Sequence, residues 1–451
     1  MKILIKNGRI IDPKNKIDSK LNIVLEKGKI SKIIAEEEDA DEVIDAANCI
    51  ISPGFVDMHM HEDPYLREEG KFDIGIFESM VKMGATTIIG GNCGVGPEDL
   101  KEYLDAVDNI GTPSNVGMLI PHESLRKFVD VNDKYKKIQD KNKLKSMKER
   151  AEFFLDEGCL GVSFGIRYIP GLENNELITI SSSVKNRDKI IAAHIRDDAK
   201  NVIKATEELL FIGKELGVKI QNSHIGSMGA YGQMEELLIL MDLSRKNGLD
   251  LGFDCYPYSA FSTGIGETTY DEGFLDRYQI DYDKIEVAEG EFAGKRLNKK
   301  LFKKLRKEKP ETITIGHVMK EKEVKMALSH PNTVIASDGF MHNKQGHPRA
   351  SGTFPRFLSR YVRDEKIVDL YTGLSKMTWM PAERLGIDKG TLGIGKDADI
   401  VIFNLNELKD KATFKNPFEA PEGIKYVIVN GEISVKNNKL IKDNLGKAVR
   451  K

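Results

Sequence analysis

Histidines in this sequence are spaced in a way that suits metal binding. His59 and His61 stand two residues apart in a strand-like stretch that runs from Phe55 to His61. Because alternate residues of a strand point to the same face, the two imidazoles are expected to converge. Imidazole nitrogen is the commonest metal ligand in proteins. A His-x-His pair arises by chance fairly often, so the prediction of a metal site needs further ligands.

Four further side chains with metal-ligating or acid–base chemistry stand at the ends of later strand-like runs. They are Cys93, His194, His224 and Asp338. The intervals between them fit whole βα units, which take roughly 30 residues each. With a charged stretch before Asp338 left out of the count, the candidates fall on strands 1, 2, 5, 6 and 8. Residues so far apart in sequence meet only if the strands close into a barrel, where catalytic groups lie at the carboxyl ends of the strands.

The types of these residues favour zinc. A thiolate and neutral imidazoles suit Zn²⁺, which is a borderline-soft ion. Asp338 is then the natural acid–base group, because water activated at a metal needs a proton acceptor beside it. Any single buried histidine or cysteine is more often a structural core residue. The set as a whole favours a metal site. Its predicted ligands are His59, His61, Cys93, His194 and His224.

The elements that would position these residues alternate between strands and helices. Apolar runs without strict alternation are typical of strands that are covered on both faces. Strands of this kind are predicted at Thr86–Ile89, Val116–Pro121, Leu160–Phe164, Ile190–His194, Lys219–His224, Leu249–Tyr256 and Thr333–Ser337. Helical spacing with charged faces predicts helices over 146–158, 199–216, 233–247 and 321–329. The repeating βα pattern favours a parallel barrel or an open parallel sheet.

Both ends of the chain have a different pattern, that of short β-strands separated by turns. Asn430-Gly431, for example, is a two-residue hairpin signal between two apolar runs. We therefore predict that residues 1–55 together with 389–451 form an all-β domain beside a barrel of residues 56–388. A charged insertion over 264–312 follows the strand that ends at Tyr256. That position suits a lid over the mouth of the barrel.

Composition narrows the class of protein and its expected location. The 451 residues include 68 Lys and Arg against 70 Asp and Glu, and this balance does not support a nucleic-acid or membrane partner. The 4 cysteines are too few for a disulfide framework and indicate a reducing compartment. Lys6 and Arg9 interrupt the apolar start of the chain, unlike the core of a signal peptide. We expect a cytoplasmic enzyme or binding protein.

Several motifs resemble those of the amidohydrolase superfamily, and within it the D-aminoacylases, which are N-acyl-D-amino-acid deacylases. The general superfamily motifs are Ile5–Gly8, Pro53–His61 and Gly393–Val401. Motifs that resemble the D-aminoacylase branch in particular are Gly91–Val95, Tyr168–Gly171, Asp254–Tyr258, Ser337–Gly339, His347–Arg349 and Gly352–Arg356. The resemblance extends over nearly the whole chain.

This resemblance implies a (β/α)₈ TIM-type barrel with a small β-sandwich built from both chain ends. It implies that Cys93, His194 and His224 hold one tightly bound zinc, and that His59 and His61 form a second site that is weak or empty. Hydantoinases and many dihydroorotases use a carbamylated lysine on strand 4 as a metal bridge. The corresponding stretch here, Gly161–Arg167, has no lysine. Cys93 resembles the residue that bridges the metal sites in place of this lysine. This difference argues against the cyclic-amide hydrolases.

The resemblance also implies substrate contacts and an activity. Tyr256, Ser262 and Arg349 match positions that bind the carboxylate of an amino acid, for which a guanidinium is well suited. Many relatives carry a lysine two residues after the strand-6 histidine, whereas this chain has Gly226 there. The implied reaction is zinc-dependent hydrolysis of an N-acyl-D-amino acid, with Asp338 as acid–base catalyst.

Three alternatives remain open at this point. One is a related metal-dependent hydrolase of a cyclic amide, like dihydroorotase or hydantoinase, or of a dipeptide that contains a D-amino acid. A second is a serine hydrolase, since Gly161–Gly165 matches Gly-x-Ser-x-Gly, with Asp197 or Asp254 and His317 as partners. This reading leaves the His-x-His pair and Cys93 unexplained. A third is a barrel that has lost catalysis and serves in assembly. The oligomeric state is left open.

Overall fold

Eight parallel strands form a closed barrel in the computed structural model, which describes residues 2–342 and 344–451. They are Phe55–Asp57, Ala85–Gly90, Asn115–Met118 with its continuation Ile120–Pro121, Gly161–Gly165, Ile190–His194, Lys219–Asn222, Leu251–Cys255 and Thr333–Ile335. Each strand pairs in parallel with the next one in this order. Nearly all of their residues are buried, which explains why these runs are apolar without polar alternation.

Backbone hydrogen bonds just beyond the first and last strands close the barrel. The Asp338 N–H donates to the His59 carbonyl oxygen at 2.7 Å, and the His61 N–H donates to the Gly339 carbonyl oxygen at 2.9 Å. The carboxyl ends of strands 1 and 8 thereby meet at one rim. The barrel predicted from the sequence is confirmed, and the open parallel sheet is excluded.

Helices surround the barrel and cover its strands. The α-helices of this layer and its loops are Gly75–Lys82, Leu100–Ile110, His122–Phe128, Lys141–Asp156, Asn174–Ser181, Val202–Leu216, Ile225–Gly229, Met234–Lys246, Glu321–Ser329, Arg349–Arg356, Leu370–Met377 and Trp379–Leu385. A π-helix, Phe357–Asp364, continues from Arg356. Leu100–Ile110 illustrates their construction: the Asp99 side chain accepts the Glu102 N–H as N-cap, and Leu100, Tyr103, Leu104 and Val107 form the buried stripe. Such an apolar stripe packs on the strands.

Two sheets from the chain ends pack face to face as the predicted β-sandwich. One contains Lys29–Ile34, Asn22–Glu26, Lys2–Lys6 and Glu42–Asp45, in that spatial order. The other contains Lys439–Leu440, Glu432–Lys436, Ile424–Val429, Ile400–Phe403, Ile50–Pro53, Arg9–Asp12 and Ile17–Ser19. Alternate side chains of both sheets, such as Ile3, Ile5, Ile400 and Ile402, form a separate buried core. The Asn430-Gly431 hairpin is confirmed.

The charged insertion folds as a small antiparallel unit at the carboxyl ends of the barrel strands. Its strands are Phe261–Gly264, Ile285–Val287 and Ile313–Gly316, and its helices are Phe274–Tyr278 and Lys299–Glu308. Phe302 and Leu305 of the second helix are buried, while most of its lysines face solvent. A two-stranded hairpin, Tyr65–Leu66 with Lys71–Phe72, lies after the first barrel strand. We propose that the insertion covers the barrel mouth.

We propose the domain division predicted from the sequence, with 1–55 and 389–451 as the sandwich and 56–388 as the barrel; residue 1 lies outside the described part. The last residues reach back to the barrel, because the Val449 N–H donates to the Val116 carbonyl oxygen at 2.8 Å. Among the helices of residues 2–342 and 344–451, none combines the length and apolarity that crossing a bilayer requires.

Candidate metal centre

Two overlapping groups of possible metal ligands lie at the carboxyl rim of the barrel. One consists of His59, His61, Cys93 and Asp338. The other consists of Cys93, His194 and His224. Within each group the ligand atoms all lie within 4.8 Å of one another. The residues that the sequence places on five different strands are therefore brought together, and Cys93 belongs to both groups.

Five of these six residues lie just beyond the strands, and His194 lies on its strand. The strand predicted over Phe55–His61 ends at Asp57, before both histidines. The strands end at Gly90, Asn222 and Ile335. Cys93, His224 and Asp338 follow with positive φ angles of 51°, 37° and 48°. Residues other than glycine rarely adopt this left-handed conformation, which costs on the order of 1–3 kcal/mol, and such strain clusters at functional sites.

Cys93 lies between histidines of the two groups. Its Sγ is 3.4 Å from His59 Nε2 and 3.4 Å from His224 Nε2. Burial raises the pKa of the Cys93 thiol, but the charges of His59 and His224 outweigh it and hold the pKa well below its usual value. A thiolate is the form that binds metal, and one thiolate shared by two groups is suited to bridge two ions.

The chemistry of the donor set fits zinc. His194 is buried, and its Nδ1 has no hydrogen-bond partner among the residues that the structure describes. A buried polar atom without a partner is unfavourable unless a ligand completes its environment. A neutral imidazole nitrogen of this kind, beside a second imidazole and a thiolate, is a typical set of zinc ligands.

Asp254, which sequence reasoning did not assign to the metal centre, orients residues of both groups. Its Oδ1 lies 3.2 Å from His59 Nδ1 and accepts the His224 N–H at 2.8 Å. Gln221 Nε2 donates to Asp254 Oδ2 at 2.9 Å. Ser227 Oγ lies 2.9 Å from His224 Nδ1 and fixes the other side of that ring. The only sequence signal was the position of Asp254 near the end of a barrel strand, inside a motif specific to the resemblance.

We expect Asp254→Asn to weaken zinc binding by about 10- to 100-fold, because it removes a carboxylate that orients two ligands at once. Competition with a chromophoric chelator measures this affinity. Asp250→Asn, at an exposed carboxylate paired with Arg384, is the control and should bind zinc like the wild type. An unchanged zinc affinity in Asp254→Asn would contradict the orienting role.

Asp338 connects the metal ligands to Arg349. Its Oδ1 is 3.3 Å from His61 Nε2 and 3.5 Å from His59 Nε2, whereas its Oδ2 is 2.9 Å from Arg349 Nη1. Burial raises the pKa of the Asp338 carboxyl, but Arg349 and His224 outweigh it and hold the pKa well below its usual value. The carboxylate thus has one oxygen on the metal side and the other on a buried guanidinium.

A cleft of about 730 Å³ opens above these groups. Ser262 and Arg349 line it together with the metal-site residues His61, Cys93, His194, His224 and Asp338. Tyr256 lies one layer deeper: it is 1% exposed, and the Arg349 guanidinium lies over its ring at 4.7 Å. The structure therefore places Tyr256 behind Arg349 and not on the wall of the cleft.

The packing around Gly226 leaves little room for a side chain. A Cβ built on Gly226 would lie 2.9 Å from Cys255 Sγ, so any side chain would force the buried neighbourhood to shift. Arg349 supplies a buried cation beside Asp338 in this cleft.

The serine-hydrolase alternative is not supported. Ser163 is fully buried within a barrel strand, and its Oγ accepts the Gly94 N–H at 3.1 Å. His317 pairs with Glu286 at 3.0 Å, and Asp254 contacts the metal-site residues described above. Asp197, the other acid named for that triad, pairs with Arg167 at 2.9 Å, so these residues make separate contacts.

Comparison with known proteins agrees with this geometry. The amidohydrolase family model matches residues 174–435. A D-aminoacylase of Alcaligenes xylosoxydans xylosoxydans is 30% identical over 468 residues, which covers 95% of this chain and 93% of the relative. The chain belongs to the amidohydrolase family. The predicted place in its D-aminoacylase branch is confirmed.

Two solved structures of this branch of the family superpose over the whole chain. One is a D-aminoacylase described by its binuclear metal centre, with a TM-score of 0.88, 26% identity and coverage of 100% of this chain and 99% of the other. The second is N-acyl-D-glutamate deacylase from Bordetella bronchiseptica, complexed with zinc and a phosphonate that mimics the tetrahedral intermediate. It has a TM-score of 0.88, 27% identity and the same coverage of 100% and 99%. The predicted barrel with a sandwich of both termini is the fold of this branch.

Proposed function

We propose that this protein is a zinc-dependent hydrolase that cleaves the amide bond of N-acyl-D-amino acids to a carboxylate and a free D-amino acid. The observation that carries the proposal is the arrangement at the rim of the barrel. Two groups of metal ligands share Cys93, and Asp338 of the first group also pairs with Arg349. Its amidohydrolase relatives, a D-aminoacylase and an N-acyl-D-glutamate deacylase, support the substrate class.

Cys93, His194 and His224 would hold one zinc ion tightly, and His59 and His61 would provide a second position. When bound, zinc supplies a Lewis acid that polarises the amide carbonyl and acidifies water.

The four cysteines are free and buried, which supports a reducing, cytoplasmic location.

Asp338 is the proposed proton carrier of the reaction. Its carboxylate takes a proton from the attacking water and delivers it to the amide nitrogen. The acyl carbon gains the water oxygen as the C–N bond breaks, and the amine of the D-amino acid leaves with the proton. Asp338 returns to its starting state, so one water is consumed for each amide cleaved.

Arg349 and Ser262 are the proposed anchors of the substrate carboxylate. A guanidinium pairs with a carboxylate through two parallel hydrogen bonds, and Ser262 offers a hydroxyl from the insertion. Tyr256 supports this site from behind by holding the Arg349 guanidinium over its ring. The amino-acid half of the substrate then lies on the Arg349 side of Asp338.

We expect Arg349→Lys to raise KM about 10- to 100-fold with a smaller change in kcat, because an ammonium does not reproduce the paired hydrogen bonds of a guanidinium. Steady-state kinetics on the best N-acetyl-D-amino acid measures both constants. Arg356→Lys is the control: Arg356 lies on the same helix but pairs with Asp410 at 3.1 Å outside the cleft. An unchanged KM in Arg349→Lys would contradict the role of Arg349 in binding the substrate carboxylate.

The experiment that tests the function is a panel of N-acetyl-D- and N-acetyl-L-amino acids beside hydantoin, dihydroorotate and dipeptides with a D-residue. The proposal expects turnover of the D-series with zinc present, loss on chelation and recovery when zinc is restored. Preference for the L-series or for a cyclic amide would overturn it. An inactive protein without bound metal would favour the assembly role. The strand Gly161–Gly165 has no lysine to carbamylate, which disfavours the cyclic-amide alternative.

A further inference from the structure

A second cleft, of about 830 Å³, adjoins the metal centre at His61. We call it the side cleft and define it by His61, Tyr65, Val95, Pro97, Phe128 and Phe340, which line it. His61, Val95 and Phe340 also line the main cleft, so the two clefts share a wall. Arg349 and Ser262 do not belong to the lining of the side cleft.

The side cleft presents apolar side chains to solvent. Val95 is 47% exposed, Phe340 38% and Phe128 54%. The Phe340 ring meets the His61 ring edge-to-face at 6.0 Å, which makes the apolar surface continuous with the metal centre. Exposed apolar side chains gathered along a cleft mark a ligand-binding groove more often than isolated ones do.

The orientation of Asp338 indicates which half of a substrate would meet this surface. Its Oδ2 faces Arg349, whereas its Oδ1 faces His61. If the amino-acid carboxylate binds Arg349, the scissile amide lies at the metal centre and the acyl group points past His61. The acyl group therefore reaches Val95 and Phe340 first and Phe128 further out.

We propose that the side cleft is the acyl-chain subsite, and that the preferred substrates carry a neutral aliphatic acyl chain of medium length rather than acetyl. This inference rests on the proposed function and specifies its substrate. Carboxylates that line the side cleft, such as Glu68 and Glu98, disfavour an acyl chain that ends in a negative charge. The nearby Arg67 and Arg150 do not offset them, because they pair with Glu102 and Asp99.

The test is a series of acyl groups on the D-amino acid that the panel ranks highest. Each methylene moved from water to an apolar surface favours binding by up to about fourfold, and an open groove covers only one side of the chain. We expect kcat/KM to rise about 10-fold from acetyl to octanoyl, and N-glutaryl to be about 10-fold poorer than N-hexanoyl. A kcat/KM that stays constant or falls from acetyl to octanoyl would contradict the assignment of the acyl-chain subsite.

Phe128→Ser tests the location, because Phe128 lines the side cleft and not the main cleft. The ratio of kcat/KM for octanoyl over acetyl should fall about threefold or more. Phe211→Ser is the matched control, since Phe211 is 49% exposed on an outer helix away from both clefts, and its ratio should equal that of the wild type. An unchanged ratio in Phe128→Ser would contradict the assignment.

The outcomes separate this inference from the proposed function. If N-acyl-D-amino acids of every chain length are left intact, the proposed function fails. If they are cleaved with acetyl at least as good as octanoyl, only the acyl-chain subsite fails. If kcat/KM does not depend on chain length and the protein is a dimer that Phe128→Ser dissociates, the apolar side chains of the side cleft instead contact a second copy of the chain.

Discussion

Replacing Asp338 by asparagine is expected to lower kcat by about 10²- to 10⁴-fold while zinc stays bound. The amide keeps the shape of the carboxylate beside Arg349 but cannot take a proton from water. Cys93, His194 and His224 remain to hold the metal. Steady-state kinetics and zinc analysis of the same preparation measure the two quantities together.

The control is Asp410→Asn, which changes another aspartate that pairs with an arginine, Arg356, outside the cleft. It should keep the activity and zinc content of the wild type. A fully active Asp338→Asn variant would contradict the role of proton carrier. Loss of zinc in parallel with activity would instead assign Asp338 mainly to metal retention.

Replacing Cys93 by alanine is expected to remove most of the zinc and to reduce kcat/KM by at least about 10³-fold. The effect is large because Cys93 is the residue shared by both ligand groups. Its removal also leaves His59 and His224 without the thiolate that lies 3.4 Å from each. Zinc content per chain and activity with added zinc check the prediction.

Cys159→Ala is the matched control, because this cysteine is also buried but packs in the apolar core outside the metal centre. It should keep zinc and activity, with a loss of about 1 kcal/mol in the free energy of unfolding. A Cys93→Ala variant that binds zinc like Cys159→Ala would contradict the metal centre.

The barrel elements followed closely from the sequence. Ile190–His194 and Glu321–Ser329 have the predicted boundaries, because a buried apolar run and an amphipathic period are local patterns. The predicted strand Lys219–His224 is shorter in the structure and ends at Asn222. His224 adopts a left-handed backbone conformation there, a choice that depends on neighbouring strands and is not encoded in the local pattern.

The residues around the substrate cleft were harder to place from the sequence. Arg349 and Ser262 line the cleft, whereas Tyr256 lies behind the guanidinium. Asp254 contacts His59 although 195 positions separate them, and the position of Asp254 near the end of a strand does not by itself predict this partner. Contacts of this kind arise only when the barrel closes.

The sequence by itself determined the chemistry of the ligands, the βα rhythm and the family, because residue type and spacing are written directly in the chain. The tertiary structure decided that Cys93 is common to both groups and that Asp338 divides its oxygens between His61 and Arg349. It also decided that a second cleft, with apolar side chains beside carboxylates, adjoins the site at His61. The physical reason is that each of these features is a distance between atoms on different strands. Such distances are fixed by ring closure and packing, which no local pattern specifies.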